Sequence, residues 1–495
     1  MFSLLNLSDL KERNVSAPVF FTDLNLDQIM AKVTEDWNED VRRLYESFPS
    51  DPASEEYRRA IYGDVKQEDV FTAMMGYERS IRDRALFAAR REKAEDEAQK
   101  QTWYLREAQL YVTSLEALHA ALGEATLQSE GLKGLRDLLA KFLSDKAFQE
   151  FSAETSALWQ ELSGFRVTLT YEKERFTLAE GKEKGDYEAF LEESFPEHGK
   201  SFKSPFQADE DFSRLEEEIV RLFRKKHKDF FEKLGAFYKK QFKYVHAEMA
   251  RLATEMGYYL AYAQFQRKME GRGLVFSTPK VSNVLSAKGL YDLALAFVNS
   301  ESGKTVVAND AYLAHEESFF VLTGPNQGGK TTYARSLGQL IYFTKMGLDV
   351  PARFAEVPHY GNLWTHFSVE ESTETGRGKL MDELVRLKPM MEKGQENAFV
   401  VINELFTTAA NFDANVMGKR VLEYFIGEHC KGIYVTHLGE LSKACDGVVS
   451  LRAGVDENQK LTYQISRSEA EELAGANRQV EKYRLTYEQL KERFS

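Results

Sequence analysis

The residues best suited to chemistry stand together in the last third of the chain. Gly324, Gly329, Lys330 and Thr331 occupy the fixed positions of the pattern G-x-x-x-x-G-K-[ST]. Glycines let the backbone approach a phosphate closely and direct successive N–H groups towards it. The lysine can reach the β- and γ-phosphates of ATP, and the hydroxyl can hold Mg²⁺. The predicted nucleotide-binding residues are Gly324, Pro325, Asn326, Gln327, Gly328, Gly329, Lys330, Thr331 and Thr332.

Two apolar segments further along the chain end in polar residues that could complete this site. Residues 399–402 lead to Asn403 and Glu404, where P-loop ATPases have a metal-associated acid and a residue that positions water. Asn403 is therefore predicted at the metal, although its amide has no negative charge. Glu404 is predicted to polarise the attacking water. Residues 433–435 lead to His437, which could sense the γ-phosphate. The predicted catalytic residues are Lys330, Glu404 and His437.

Short apolar runs separated by helix-like segments must position these residues. Such runs alternating with helices are typical of an α/β domain with a largely parallel, mixed sheet covered on both faces. Three strand ends that converge at one edge fit a nucleotide site at the carboxyl edge of that sheet. The predicted strands are residues 305–308, 319–322, 399–402, 433–435 and 448–451.

The region before residue 300 has a mostly helical pattern. The stretch 77–122 lacks proline, which favours an extended arm or a coiled-coil-like pair over a compact bundle, although a solvated helix surface explains it equally well. Alternating β-branched residues predict a hairpin over 165–178. Residues 181–210 have the composition of a loop, and helix is predicted over 211–272. The predicted domains are a helical core and arm (1–150), a hairpin and loop insertion (151–210), a returning helical region (211–300) and the ATPase domain with C-terminal helices (301–495).

The segment 221–245 is strongly basic and carries interleaved aromatic residues. Such a composition could grip the backbone and bases of a nucleic acid. It is also typical of an amphipathic helix with aromatic residues in the core and lysines in solvent. The candidate DNA-contacting residues are Arg221, Arg224, Lys225, Lys226, Lys228, Lys239 and Lys240.

The bulk composition narrows the class of protein. A chain of 495 residues is too long to fold around a single hydrophobic core, so two to four domains are expected. The net charge of −13 argues against a generally basic surface for nucleic acid, but not against a local basic stripe. Cys430 and Cys445 form no metal-type cluster and suggest a reducing compartment. The chain shows neither a signal-peptide pattern nor an apolar stretch of membrane-spanning length, so a cytoplasmic location without membrane contact is expected.

The motifs around the glycine-rich pattern resemble the MutS family. Residues 323–332 are similar to its phosphate loop T-G-P-N-x-x-G-K-S-T, and residues 307–310 to its V-x-N-D segment. Residues 350–352 resemble its V-P-A, and residues 436–441 its T-H-x-x-E-L. The resemblance implies an ABC-type ATPase domain that works as a homodimer, with helical core and lever arms that embrace DNA in many members. The residues that it places at the dimer signature and contact loop are Gly378, Met381, Glu383 and Asp413.

The chain also departs from the family pattern. The usual Asp-Glu pair is Asn403-Glu404, residues 406–410 replace a Gly-Arg-Gly-Thr-Ser run, and Gly378 stands where the signature serine is expected. These departures argue against fast turnover. About 300 residues precede the ATPase domain, and they contain no Phe-x-Glu wedge within a β-rich domain. The sequence therefore indicates a divergent MutS-like ATPase that lacks the mismatch-recognition domain.

Competing functions follow from these observations. The first is a homodimeric ATPase that binds and hydrolyses ATP with Mg²⁺ and couples this to clamping of DNA. The alternative is a slow or inactive ATP-gated switch that controls protein assembly without DNA, which Asn403 and the acidic balance favour. A mechanical ATPase similar to SMC proteins is disfavoured because Lys330 and Glu404 are close in sequence. A simple phosphotransferase is disfavoured because no acceptor-site motif is apparent.

Overall fold

The computed structural model of the chain describes most of its length. The described residues are 2–5, 18–46, 49, 51–165, 167–172, 175–180, 221–240, 247–367, 378–392 and 397–468. The chain divides into two compact units. The first unit comprises Met1–Phe71, Leu127–Gly134 and Thr254–Ser495, and the second comprises Thr72–Thr126 and Leu135–Ala253. The predicted boundaries at 150, 210 and 300 do not coincide with these divisions.

Helices dominate the described residues before residue 270, as the sequence predicts. Their bounds are α1 (Val19–Asp23), α2 (Leu26–Val33), α3 (Glu39–Arg43), α4 (Pro52–Val65), α5 (Glu68–Lys93), α6 (Glu97–Glu124), α7 (Glu130–Leu143), α8 (Lys146–Gly164), α9 (Lys228–Lys239) and α10 (Ala247–Glu270).

The long proline-free stretch 77–122 falls within two helices, α5 and α6. Asp96 stands before α6, and its side chain accepts hydrogen bonds from the backbone N–H groups of Ala98 and Gln99. Such a cap satisfies N–H groups that a helix start leaves without partners, so it fixes a new helix beginning there. The same device starts α8, where Asp145 accepts from Ala147 and Phe148.

The helix predicted over 211–272 is also interrupted. Residues 221–226 are helical, His227 is a bend, and α9 then runs to Lys239 before α10 begins at Ala247. Within the second unit α9 packs on α6 and α8. The part of the prediction that covers 211–220 lies outside the described residues.

The predicted hairpin is present. Strands β1 (Val167–Glu172) and β2 (Arg175–Glu180) pair antiparallel, with Val167 opposite Glu180 and Glu172 opposite Arg175. The loop predicted over 181–210 lies outside the described residues.

The C-terminal part of the first unit is built on sheets. Its strands are β3 (Lys280–Val281), β4 (Leu285–Leu290), β5 (Asn309–Leu313), β6 (Phe319–Thr323), β7 (Phe354–Val357), β8 (Leu363–Phe367), β9 (Phe399–Asn403), β10 (Lys431–Val435), β11 (Val448–Val455) and β12 (Leu461–Arg467). Its helices are α11 (Leu293–Glu301), α12 (Lys330–Met346), α13 (Lys379–Glu392) and α14 (Asn411–Gly427), with a 3₁₀ turn at Gly439–Lys443.

The main sheet has the strand order β12-β11-β6-β10-β9-β8. Neighbours from β11 to β8 pair in parallel, and β12 is antiparallel to β11. A smaller sheet has the order β3-β7-β4-β5 and is mostly antiparallel. The prediction of an α/β domain with a mixed, largely parallel sheet is therefore confirmed.

One predicted strand is wrong. Residues 305–308 are not a strand; β5 begins only at Asn309. The partner strand β4 ends at Leu290, which lies opposite Asn309, so residues 305–308 have no strand to pair with. An apolar run needs such a partner to become a strand.

The core explains why the central strands are apolar throughout. Every residue of β6 and β9 is buried, which is typical of parallel strands covered on both faces. On one face, β6 and β9 share a core with Leu387 of α13 and Phe425 of α14. Helix α12 packs against β9 and β10, and the same helix contacts α4. No helix in the described part of the chain is long and apolar enough to span a membrane.

A buried ion pair fastens α12 to α4. Lys345, near the end of α12, donates from Nζ to Oε1 of Glu55 in α4 over 2.8 Å, and both side chains are buried. Lys345 Nζ also donates to the backbone oxygen of Tyr360. His359 Nδ1 lies 3.1 Å from the other carboxylate oxygen of Glu55. Removing one partner of such a pair leaves an uncompensated buried charge, which is strongly destabilising.

Candidate nucleotide-binding site

The glycine-rich loop (residues 324–329) joins β6 to α12. Gly324 and Gly329 have φ angles of 132° and 86°, which side chains rarely permit. A Cβ at Gly324 would also lie 2.9 Å from the Cβ of Ala453 in the adjacent strand β11. Glycine is therefore required at Gly324 by both backbone angle and space. The loop ends at the first turn of α12, whose leading N–H groups have no partner inside the helix.

Lys330 is turned back into the glycine-rich loop. Its Nζ donates to the backbone oxygens of Gly324 over 3.0 Å and of Pro325 over 2.9 Å. Burial lowers the pKa of Lys330, and the nearby charge of Glu404 opposes this shift. The ammonium group is thus held at the centre of the loop, where an anion bound by the loop would meet it.

Thr331 and Asn403 form the part of the site suited to a cation. Thr331 Oγ1 donates to Asn403 Oδ1 over 3.0 Å, at the buried end of β9. Mg²⁺ in proteins prefers oxygen ligands and usually has one or two carboxylates among them. Among the described residues no group of three His, Cys, Asp or Glu side chains could hold a metal ion. The neutral pair therefore fits Mg²⁺ carried by phosphate oxygens, and does not fit an ion held by protein groups alone.

Glu404 and His437 follow neighbouring parallel strands. The backbone N–H of Glu404 donates to the backbone oxygen of Val435, which ties the end of β9 to the end of β10. The Glu404 carboxylate Oε1 accepts a hydrogen bond from His437 Nε2 over 2.9 Å. Both side chains are partly exposed. A carboxylate oriented by an imidazole, open to solvent beside Lys330, has the position that a water-activating group needs.

A cavity of about 660 Å³ adjoins these groups. One part of the cavity is polar. It is lined by Glu404, His437 and the loop and helix-start residues Asn326, Gln327, Lys330, Thr331 and Thr332. The structure therefore brings together residues from the ends of β6, β9 and β10, as parallel strands with a common carboxyl edge predict.

The other part of the cavity is more apolar, and sequence reasoning missed it. This part of the cavity is lined by Leu295 of α11, residues 305–307 and Tyr463 of β12. Tyr463 lies close to the loop, because a Cβ on Gly329 would be 3.4 Å from its ring. The sequence signal for this wall is the apolar run at 305–308, whose residue types also predict a strand.

The asparagine and aspartate of the V-x-N-D segment hold the walls of this cavity. Asn309 Nδ2 donates to the backbone oxygen of Tyr463, and Asn309 Oδ1 accepts from the backbone N–H of Ile465. Asp310 Oδ1 accepts from the backbone N–H of Gly289, and the backbone oxygen of Asp310 accepts from the hydroxyl of Tyr333. These bonds fix β5 against β12, β4 and α12, which explains both residue types by structure alone.

Comparison with known proteins agrees with this architecture. Residues 320–479 match the family model described as MutS domain V. Residues 320–479 are therefore a MutS-type domain. The MutS-type domain begins in β6 and includes the glycine-rich loop, Asn403, Glu404 and His437. The resemblance inferred from the motifs is thereby confirmed.

Several proteins that match part of this chain are named DNA mismatch repair protein MutS. That of Fervidobacterium nodosum is 32% identical over 155 residues, which are 30% of this chain and 19% of the relative. That of Shouchella clausii is 26% identical over 269 residues, which are 51% of this chain and 30% of the relative. The chain therefore spans about a fifth to a third of the length of these relatives.

The residues predicted at the dimer signature occupy different environments in the MutS-type domain. Gly378 is exposed just before α13, and Met381 in its first turn has 53% of its surface exposed. Asp413 is exposed at the start of α14, and the neighbouring Phe412 has 78% of its surface exposed. Glu383 is only 3% exposed. Its Oε2 accepts from the backbone N–H of Phe406 over 3.0 Å, so its carboxylate lies inside the domain and not on a contact surface.

The basic segment belongs to the second unit, outside the MutS-type domain. Phe230, Phe231 and Phe237 of α9 are buried, whereas the candidate DNA-contacting residues are exposed. Several of these cations form ion pairs within the unit: Arg224 with Asp96, Lys228 with Glu232, and Lys240 with Glu154. This arrangement matches the interpretation of an amphipathic helix, and the buried rings are not placed to stack on bases.

Proposed function

We propose that the MutS-type domain binds ATP and hydrolyses it. The observation that carries the proposal is the convergence of Lys330, Thr331, Glu404 and His437 on one cavity at the carboxyl edge of the parallel sheet. Asn403 joins them through its hydrogen bond with Thr331. In each case the residue type matches a task in phosphoryl transfer, in which positioning and charge stabilisation do most of the work.

The two parts of the cavity give the nucleotide an orientation. The triphosphate lies along the glycine-rich loop, where backbone N–H groups and Lys330 face it. The adenosine lies towards Leu295, Val307 and Tyr463, whose apolar surface suits a base. The reacting γ-phosphate then lies nearest to Glu404 and His437.

The position of Glu404 supports the hydrolytic step of this proposal. Its carboxylate accepts a proton from a water molecule while the water oxygen attacks the γ-phosphorus. The bond from that phosphorus to the β,γ-bridging oxygen breaks, and ADP and phosphate leave. Lys330 stabilises the charge that develops on the phosphate oxygens, and His437 holds Glu404 in orientation. Mg²⁺ on the phosphates would add charge neutralisation, with Thr331 as the residue that would hold it.

We further propose that two copies of the chain associate when ATP binds, and that this controls a clamp on DNA. The exposed Met381, Phe412 and Asp413 supply a surface for a second copy. Support for DNA comes from the relatives, which are named DNA mismatch repair proteins. The second candidate is an ATP-gated assembly switch with little hydrolysis. The neutral Asn403 beside Thr331 favours it.

The decisive experiment is steady-state ATP hydrolysis without DNA and with duplex, branched and single-stranded DNA. Lys330→Ala and Glu404→Gln serve as controls, because the first removes the phosphate cation and the second the proton acceptor. DNA-stimulated turnover that both substitutions abolish supports the ATPase and the clamp. Wild-type turnover no faster than that of Glu404→Gln, together with tight ATP binding, overturns hydrolysis and selects the switch.

A further inference from the structure

The charges around the glycine-rich loop are unusual for a site that handles Mg²⁺ and ATP. Lys330 supplies a cation, and Glu404 an anion placed beyond it next to His437. The position beside Thr331 is a neutral amide, because Asn403 Oδ1 accepts the Thr331 hydroxyl there. Asp292 also lines the cavity, but its Oδ1 accepts hydrogen bonds from the backbone N–H of Leu295 and from Gln339 Nε2.

A carboxylate at position 403 would act on the nucleotide in two opposite ways. It would attract a divalent cation to the Thr331 hydroxyl, 3.0 Å from the side-chain oxygen of residue 403. It would also repel the phosphate oxygens of a nucleotide that arrives without a cation. Both effects are large at such distances, because buried charges are poorly screened. The two effects together make nucleotide binding depend on the metal.

Asn403 removes both effects. Its side chain is nearly buried at the end of β9, so the amide is a fixed part of the site. An amide carries no charge to recruit Mg²⁺ or to repel phosphate, and its nitrogen is a hydrogen-bond donor, which a carboxylate is not. The side chain at position 403 therefore brings no negative charge that would compete with phosphate for Lys330.

We propose that Asn403 makes nucleotide binding by this chain largely independent of divalent cations. The ligand class is a nucleoside di- or triphosphate, bound in its metal-free form almost as tightly as in its Mg²⁺ form. The inference rests on the proposed nucleotide site, and it goes beyond that site by assigning Asn403 as the residue that sets cation dependence.

The test is the dissociation constant of ADP measured calorimetrically with excess Mg²⁺ and with EDTA. The ratio of the two constants is the readout, since changes in overall stability affect both. For the wild type the ratio is expected to stay below about threefold. For Asn403→Asp it is expected to exceed about tenfold, or about 1.4 kcal/mol, chiefly through weaker binding in EDTA.

Asn299→Asp is the matched control. Asn299 lines the same cavity from α11, and its side-chain Nδ2 donates to the backbone oxygen of Thr305 instead of contacting Thr331. The substitution adds the same charge to the cavity, so it tests whether any carboxylate there suffices. Its ratio is expected to equal that of the wild type.

The outcomes separate the inference from the function on which it rests. A wild-type ratio of about tenfold or more, unchanged in Asn403→Asp, overturns the role of Asn403 while the nucleotide site stands. Equal ratios in Asn403→Asp and Asn299→Asp, both raised, overturn the assignment to this position. Absence of ADP and ATP binding by the wild type under both conditions overturns the proposed function itself.

Discussion

His437 Nε2 lies 2.9 Å from Glu404 Oε1, and this contact joins the residues that follow β10 and β9. The backbone N–H of Glu404 is already bonded to Val435, so the main chain at Glu404 is fixed independently of its side chain. The imidazole therefore controls only where the carboxylate points. This separates the orientation of Glu404 from the stability of the sheet.

His437→Ala is expected to lower kcat for ATP about tenfold to a hundredfold, because a misplaced carboxylate loses alignment with the attacking water. KM is expected to change less than about threefold, since the phosphate contacts of the loop remain. Steady-state kinetics of the purified variant measure both constants. His315→Ala, an exposed histidine outside the cavity, is the control. A large rise in KM with unchanged kcat would instead assign His437 to binding.

Gly324→Ala is expected to abolish ATP binding and to lower the free energy of unfolding by about 1–3 kcal/mol. The φ of 132° and the contact with Ala453 each exclude a side chain at this position. Gly427→Ala is the matched control, because a Cβ there meets nothing within 4 Å. Its stability is expected to stay the same or rise by up to about 1 kcal/mol. Equal destabilisation of both variants in urea titrations would contradict the role of Gly324.

Much of this site could be predicted from local sequence. The remaining residues could not, because their positions depend on how distant parts of the chain pack together. The loop residues and the buried strands β6 and β9 have types fixed by their own backbone and burial. The apolar wall formed by Leu295 and Tyr463 depends on chain segments far apart in sequence. Glu383 and Met381 are two positions apart on α13, but one is buried and the other exposed, and only the packing of α13 decides which.

The apolar wall gives a prediction that separates base from phosphate. Leu295→Asp is expected to weaken ATP binding about tenfold or more, because a carboxylate replaces apolar surface against the base. Binding of inorganic tripolyphosphate is expected to change much less. Val298→Asp on the same helix is the control, since Val298 is 58% exposed and does not line the cavity. Equal weakening of ATP and tripolyphosphate by Leu295→Asp would place the base elsewhere.

His366 gives a pH prediction for stability. Burial, with a smaller contribution from Arg386, lowers the pKa of His366 to about 4 from its usual 6.5. The unfolded chain therefore binds a proton in this range that the folded chain does not, and stability falls as pH drops from about 6.5 to 4. The expected loss is about 3 kcal/mol in total.

Urea unfolding of the wild type and His366→Gln between pH 7 and pH 4 measures this contribution. The glutamine variant is expected to be less stable at pH 7 but to lose less stability on acidification. His429→Asn, at an exposed position, is expected to follow the wild-type pH dependence. Parallel curves for wild type and His366→Gln would show that His366 does not titrate in this way.

The buried helix α12 has a mechanical consequence. It begins at the glycine-rich loop and ends on Glu55 through Lys345, 17 residues that span about 25 Å. Because nearly the whole helix is enclosed by close-packed side chains, it cannot shorten or bend to absorb a displacement at its first turn. The helix therefore behaves as a rigid body. A displacement of the glycine-rich loop on phosphate binding would be transmitted along it to helix α4 with little change in size.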